Sequence, residues 1–328
     1  MENRKIIGVD LGGTSIKFAI VSQKGEIVDQ WSILTDISDG GVHITPSIIE
    51  SIKTHMNKNN YTSSDFIGIG MGSPGTVNKE NGTVIGAYNL NWTTSQPLRE
   101  DIQGALNIPF FIDNDANVAA LGEQWVGAGA KEPNVVFITL GTGVGGGVIL
   151  NDTLIHGAIG AAGEIGHTTV DPEGYLCTCG KNGCLETVAS ATGVVRVATD
   201  KAKIYEGDSP IKAAILDTQA VDTKMIMDAA KEGDSFSLEV VEEVSDYLGL
   251  AIGNIANLLN PSTIIIGGGV SKAGEFLADK VRRHFAKYAF PTIRESTTIS
   301  IAELGNDAGV IGASSLVLNE SVHEHITK

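Results

Sequence analysis

Basic residues are scarce in this chain: 23 lysines and arginines stand against 39 aspartates and glutamates, a formal net charge of −16 over 328 residues. A field of that sign repels phosphate backbones and anionic lipid, so neither nucleic acid nor a membrane surface is an expected partner. Long apolar runs are also missing, and no stretch reaches the roughly 20 residues that a membrane-spanning helix needs. The opening Met1-Glu2-Asn3-Arg4-Lys5 runs straight into a strand pattern, without the layout of a signal peptide, so the expected location is the cytoplasm. Only three cysteines occur, and so few, in odd number, suit a reducing compartment better than a disulfide scaffold. With 42% hydrophobic and 19% charged residues, the composition is that of an ordinary globular protein. The chain is long enough to hold two domains and bury a large core.

The three cysteines fall within one short segment, Cys177-Thr178-Cys179-Gly180-Lys181-Asn182-Gly183-Cys184-Leu185-Glu186, preceded by Gly163-Glu164-Ile165-Gly166-His167. Three small buried hydrophobes and a stray surface histidine would be the bland explanation, but chance rarely gathers every cysteine of a long chain into so few positions. Three thiolates and one imidazole from Cys177, Cys179, Cys184 and His167 match a closed, four-coordinate structural zinc site with no open position for catalysis. The same loop carries Glu164 and Glu186, two carboxylates that an ordinary core would not accommodate.

Forty glycines are present, and they cluster after apolar, β-branched runs. Residues 5–10 read as a buried strand followed by Leu11-Gly12-Gly13-Thr14 and a second strand over 16–21. Residues 134–140 form another such run, followed by a glycine turn over 141–147 and a strand over 148–150. Strand, glycine turn, strand therefore occurs twice, a weak internal repeat of the kind a duplicated two-lobed fold leaves. A third run, 263–266, ends in Gly267-Gly268-Gly269 and leads into a helical pattern over 272–288. Further helical patterns cover 46–56, 97–106, 116–126, 235–259 and 307–318, the fourth stopped by Asn260-Pro261. Strands alternating with helices, with no low-complexity linker, give an α/β class.

Glycine lets backbone N–H groups approach an oxyanion, and successive amides form an anion-binding concavity. A P-loop is excluded because the only Gly-Lys pair, Gly180-Lys181, lies inside the cysteine loop. Gly141, Gly143 and Gly146 satisfy the dinucleotide spacing, but that fingerprint opens a helix, whereas this segment continues as a strand. What remains is a pair of hairpin turns, which either serve only the fold or cradle a nucleotide's phosphates. Asp10, directly before the first turn, is placed to hold a water on Mg2+. Asp113-Asn114-Asp115-Ala116-Asn117 follows the apolar run 109–112 and opens a helix. A lone Asp there would be a helix cap, but this density of carboxylates and amides exceeds what capping requires and supplies a candidate base for a hydroxyl proton. Gly72-Ser73-Pro74-Gly75, after the strand 66–71, is another tight loop at a strand end, where open α/β sheets bind ligands.

Taken together, the Asp10-x-Gly12-Gly13-Thr14 turn, the Asn114-Asp115-Ala116-Asn117 cluster and the cysteine loop resemble the ROK family of sugar kinases and repressors. The cysteine loop is the specific part, and the resemblance runs from the first strand to Gly267-Gly268-Gly269-Val270. It implies an actin-like, ribonuclease H-like, two-lobed sugar kinase fold with the active site in the inter-lobe cleft. The expected division is a small lobe of 1–118 and 306–328 and a large lobe of 119–305 carrying the zinc loop. The resemblance further implies Asp115 as general base, with Gly75, Asn114, Asp115, Glu164, His167 and Glu186 around the sugar. It puts Asp10, Gly12, Gly13, Thr14, Lys17, Gly141, Thr142, Gly143, Gly267, Gly268 and Gly269 around ATP and Mg2+. His167 would turn one ring nitrogen to Zn2+ and the other to the sugar. Glucose, phosphorylated at the 6-hydroxyl, is the first expectation; fructose, mannose and N-acetylated amino sugars are the family's other substrates, and a homodimer is common in it. Repressor relatives carry a DNA-binding segment ahead of the first strand, for which a strand beginning near Lys5 leaves no room.

Overall fold

Runs rich in Val, Ile and Phe fit a pleated, half-buried surface, and here they form strands. A computed structural model, describing residues 4–326, arranges most of them in two five-stranded sheets. The chain divides into two compact units. Unit 1 comprises Met1–Lys131, Leu154–Ala162 and Asn306–Lys328, and unit 2 comprises Glu132–Thr153 and Gly163–Gly305. A boundary at 118 would have cut the helix Asp115–Val126, which unit 1 keeps whole.

Unit 1 contains β1 (Lys5–Leu11), β2 (Ser15–Val21), β3 (Ile27–Leu34), β4 (Phe66–Ser73), the small hairpin β5 (Thr76–Asn78) and β6 (Thr83–Ile85), and β7 (Phe110–Asn114). Its sheet order is β3-β2-β1-β4-β7. The hairpins β1–β2 and β2–β3 are antiparallel, while β1, β4 and β7 run parallel. Helices α1 (Ile44–Lys58), α2 (Leu98–Leu106) and α3 (Asp115–Val126) join the C-terminal helix Ala308–Ile326 in covering it. The core beneath α1 and α2 includes Phe18, Ile69, Met71, Trp92 and Ile112. β3 has no counterpart among the expected strands because it is an edge strand whose burial alternates residue by residue.

The second sheet consists of β8 (Val135–Leu140), β9 (Val144–Leu150), β10 (Thr153–Leu154, its first residue the last of the Glu132–Thr153 stretch of unit 2), β11 (Thr263–Gly267) and β12 (Thr298–Ile301), in the order β10-β9-β8-β11-β12. The strand order follows the same path as in unit 1, with an antiparallel β8–β9 hairpin and parallel β8, β11 and β12. The repeat of the two glycine turns is therefore a repeat of topology. β9 starts at Val144, not Val148, because the hairpin register pairs Leu140 with Val144. The glycines within it serve close packing: a Cβ on Gly146 would stand 2.6 Å from the Gly163 carbonyl oxygen.

Helices α4 (Glu186–Ala189), α5 (Ala191–Ala202), α6 (Pro210–Leu216), α7 (Thr223–Lys231), α8 (Ser235–Leu259), α9 (Glu275–Tyr288) and α10 (Pro291–Ser296) complete unit 2. The helix expected from 272 begins three residues later, since Gly274 has φ +70 and separates a 3-10 turn, Val270–Ala273, from α9. α8 ends where expected, at Asn260 in the left-handed conformation. Among the described residues no helix is long and apolar enough to cross a membrane.

The C-terminal helix is buried in unit 1 through Val310, Ala313, Ser314 and Val317. It comes this near because glycines face it. A Cβ on Gly8 or Gly70 would overlap the carbonyl oxygens of Val310 and Ala313, and one on Gly312 would overlap the Val118 carbonyl oxygen of α3. Backbone cannot step aside as a flexible side chain can. Gly312→Ala should therefore destabilise the protein by about 1–3 kcal/mol, the usual cost of overpacking. Gly104→Ala, in α2 with nothing within 4 Å of its would-be Cβ, should be neutral or stabilising by about 0.5–1 kcal/mol. Thermal melts of the two variants check this, and equal melting temperatures would contradict it.

Candidate functional site

The carboxyl ends of the parallel strands β1 and β7 each deliver an aspartate. Asp10 is the penultimate residue of β1, and Asp115 follows β7 as the first residue of α3. Asn114, not Asp115, is the N-cap of α3, its Oδ1 accepting the amides of Ala116 at 2.9 Å and Asn117 at 3.4 Å. That frees the Asp115 carboxylate from capping, although its Oδ1 also accepts the Ala116 amide at 2.8 Å. Asp115 reaches solvent, yet protein crowds its other sides, and this burial raises its pKa against the lowering effect of its hydrogen bonds. Asp10 is raised as well, first by burial and further by the charge of Asp115, while Lys17 works in the opposite direction. Lys17 Nζ stands 4.0 Å from Asp10 Oδ2 and donates to the Asn306 carbonyl at 3.1 Å. A Cβ at Gly309, near the start of the C-terminal helix, would come within 2.5 Å of the Asp10 carboxyl carbon. Glycine there lets the carboxylate sit against the helix start.

The turn between β1 and β2 holds Gly12, Gly13 and Thr14. Gly12 donates to the Ser15 carbonyl at 3.1 Å, and Thr35 braces the turn through a 2.6 Å bond from its Oγ1 to the Gly12 carbonyl. Thr14 is exposed. Gly75, at φ +91, turns the chain from β4 into β5, packed against the backbone of Ile85 and Ala87. Asp10, Lys17, Asn114 and Asp115 thus gather in unit 1, with Gly12, Gly13 and Thr14 on the adjoining turn.

In unit 2 the four expected metal ligands converge. The donor atoms of His167, Cys177, Cys179 and Cys184 all lie within 4.8 Å of one another. His167 Nδ1 is 3.6 Å from Cys177 Sγ, and Cys179 Sγ is 3.6 Å from Cys184 Sγ. A tetrahedron with zinc–sulfur bonds of about 2.3 Å has edges of about 3.5–3.8 Å. The sulfurs are therefore at ligand separation and too far apart for a disulfide. Burial and the neighbouring sulfurs push the Cys184 thiol up to about 12, so three thiolates sharing this space require a cation. The residues present fit zinc. With Nδ1 turned to the sulfurs, Nε2 of His167 faces outward, 3.9 Å from Glu164 Oε2.

Glu186 links this loop to the glycine turn of β8–β9. Its Oε2 accepts the Val144 amide at 3.1 Å, and a Cβ on Gly143 would come within 2.5 Å of the same oxygen. Gly141 closes the turn by donating to the Gly143 carbonyl at 2.9 Å, with Thr142 exposed at its tip. Because the turn joins two antiparallel strands and opens no helix, it is not a dinucleotide fingerprint. Gly267 ends β11, and Gly268 after it, at φ +86, lies against the Leu140 backbone. Gly269 lines a cavity of about 310 Å3 together with Thr223, Lys224, Met227 and Lys272. Apart from Gly269, nothing in the sequence announces this cavity, because α7, which forms much of its wall, is short and carries none of the residues singled out in the sequence.

Two further residues stand behind the Asp115 turn. Asp113, 2% exposed, accepts hydrogen bonds from the Asn114 amide and Asn117 Nδ2, each at 2.8 Å, and pairs with His156 Nε2 at 2.6 Å. His156 carries no sequence signal, being 43 positions from its partner.

The same arrangement of chain recurs in known proteins. Residues 6–320 match the ROK family. A glucokinase of Halalkalibacterium halodurans is 48% identical over 97% of this chain and 96% of its own length, and one of Thermotoga maritima is 37% identical over 97% and 98%. The crystal structure of a ROK family glucokinase from Streptomyces griseus, in complex with glucose and AMPPNP, aligns with a TM-score of 0.77 at 34% identity, covering 96% of this chain and 99% of that one. The fold is the actin-like, two-lobed α/β fold of ROK sugar kinases. A match over nearly the whole sequence, with a relative close to half identical, means that the chain belongs to the ROK family.

Proposed function

We propose that this chain is a glucokinase, transferring the γ-phosphoryl group of ATP to the 6-hydroxyl of glucose. The observation that carries the reading is the Asp115 carboxylate, excused from capping by Asn114, crowded enough to raise its pKa, and still open to solvent. The relatives named above as glucokinases support glucose as the acceptor. Phosphoryl transfer passes through a loose transition state, so the protein's work is alignment and charge neutralisation. Asp115 accepts the proton of the 6-hydroxyl as its oxygen attacks the γ-phosphorus in line, and a raised pKa makes it a stronger base once ionised. Asn114 orients the same sugar with its side-chain amide nitrogen, beside the Gly75 turn. Glu164, His167 Nε2 and Glu186 accept or donate to the remaining hydroxyls.

The amides around Gly12, Gly13 and Thr14 and around Gly141, Thr142 and Gly143 hold phosphate oxygens, with Lys17 adding a positive charge. The 310 Å3 cavity beside Gly267, Gly268 and Gly269 takes the nucleoside. Magnesium, when bound with ATP, supplies charge neutralisation at the phosphates, and Asp10 offers the hard oxygen donor it prefers. Zinc, when bound, supplies a rigid clip for the loop that presents Glu164, His167 and Glu186. The protein would work in the cytoplasm as a homodimer, at the entry of glucose into glycolysis.

Asp115→Asn keeps size and removes the proton acceptor. Its turnover should fall by roughly two to four orders of magnitude, with melting temperature and ATP binding unchanged. Near-wild-type turnover at saturating glucose, ATP and magnesium would refute the assignment. Cys184→Ser should lose stoichiometric zinc, read by elemental analysis, and weaken glucose binding by about 10–100-fold. Glu186→Gln should weaken glucose binding while keeping its zinc; zinc loss in that variant would assign the glutamate to the metal instead.

A further inference from the structure

A buried carboxylate needs donors for its oxygens, and Asp113 has three. Oδ1 takes the Asn114 amide and Asn117 Nδ2; Oδ2 takes His156. Since a carboxylate only accepts, His156 carries its proton on Nε2. Asn117 Oδ1 is buried without a hydrogen-bond partner among the described residues, so the Asn117 amide is held from the Asp113 side alone. These bonds bracket Asp115: Asn114 precedes it, and Asn117 lies one position beyond Ala116 in the first turn of α3. The donor from His156 arrives on Leu154–Ala162, a segment that belongs to unit 1 although the chain on either side of it belongs to unit 2. That segment is closed on itself by a 3.0 Å bond from the Ala162 amide to the His156 carbonyl. Structural duty elsewhere does not explain the arrangement, because the β7–β4 ladder and the α3 cap are complete without the imidazole.

We infer that His156 and Asp113 are positioning residues for the base. The imidazole fixes Asp113, which fixes the backbone at Asn114 and the side chain at Asn117, and so holds the turn that aims the Asp115 carboxylate. The inference rests on the kinase reading for its consequence in turnover, but the hydrogen bonds themselves are testable without it.

Three variants at position 156 decide the matter. His156→Ala removes the donor, His156→Met removes it while keeping volume, and His156→Gln places an amide nitrogen close to where Nε2 stood. Amide hydrogen exchange in the ligand-free protein reads the turn directly, and kcat with glucose and ATP reads its consequence. In the Ala and Met variants the Asn114 and Ala116 amides should exchange at least tenfold faster. Their kcat should fall by about 10–100-fold, the usual effect of a small misplacement of a reacting group. The KM for ATP should stay within threefold. The Gln variant should recover both readouts to within threefold of wild type.

Wild-type exchange and kcat in the Met variant would overturn the proposal. So would equal losses in the Met and Gln variants, which would mean that only the ring's packing matters. If the Ala variant does not fold, Met against Gln makes the same distinction. Should the wild type phosphorylate no hexose, the kinase reading fails, and the exchange data still judge the hydrogen bonds on their own.

Discussion

Asp10 and Asp115 are two carboxyls crowded by protein in unit 1, and burial, more than the charge between them, raises both. They sit at the carboxyl ends of β1 and β7, with β4 between those strands in the sheet. Open α/β sheets present ligand-binding groups there. Burial raises both carboxyls, and the charge on Asp115 raises Asp10 further. Lys17 offsets part of this from 4.0 Å. Such a pair favours whatever brings positive charge: a divalent cation at one carboxylate and a proton taken up at the other. Phosphoryl transfer to an alcohol supplies both. The packing follows from the same need, since Gly309 leaves room for Asp10 against the C-terminal helix. That helix is held down by glycine contacts at Gly8, Gly70 and Gly312.

Unit 2 meets a different requirement with a different device. Glu164 precedes and His167 ends a single 3-10 turn, Ile165–His167, and Glu186 opens the four-residue α4, elements too short for an extended ladder of backbone hydrogen bonds. Ligand-distance sulfurs and an imidazole substitute for that ladder. The order extends to the β8–β9 turn through the bond from the Val144 amide to Glu186. A residue proposed to meet the sugar is thus directly attached to a turn proposed to meet phosphate, so displacing one disturbs the other.

Much of this is legible in the sequence where the signal is local. Gly12 and Gly13, and Gly141 and Gly143, mark hairpins because a tight reversal after a β-branched run calls for glycine. The cysteine spacing identifies the metal cluster because ligand geometry restricts sequence distance. Where contacts are remote, the sequence is silent. His156 meets Asp113 across 43 positions, and nothing in either neighbourhood announces the pairing. Which member of Asp113-Asn114-Asp115 caps α3 depends on where β7 ends, and single-residue boundaries are beyond periodicity. β3 is hidden because an edge strand with Asp29 and Gln30 among its residues has no continuous apolar run.

The most direct test is a carboxyl 13C NMR titration of the ligand-free protein, with Asp115→Asn used to assign the Asp115 resonance. Asp115 should titrate above the ordinary aspartate value of about 3.9, because burial disfavours its charged form. The assigned variant should also lower the titration of Asp10 by removing a neighbouring negative charge. An Asp115 resonance that titrates at or below the ordinary value, with Asp10 unmoved in the variant, would contradict the claim that burial raises Asp115 and that its charge helps to raise Asp10.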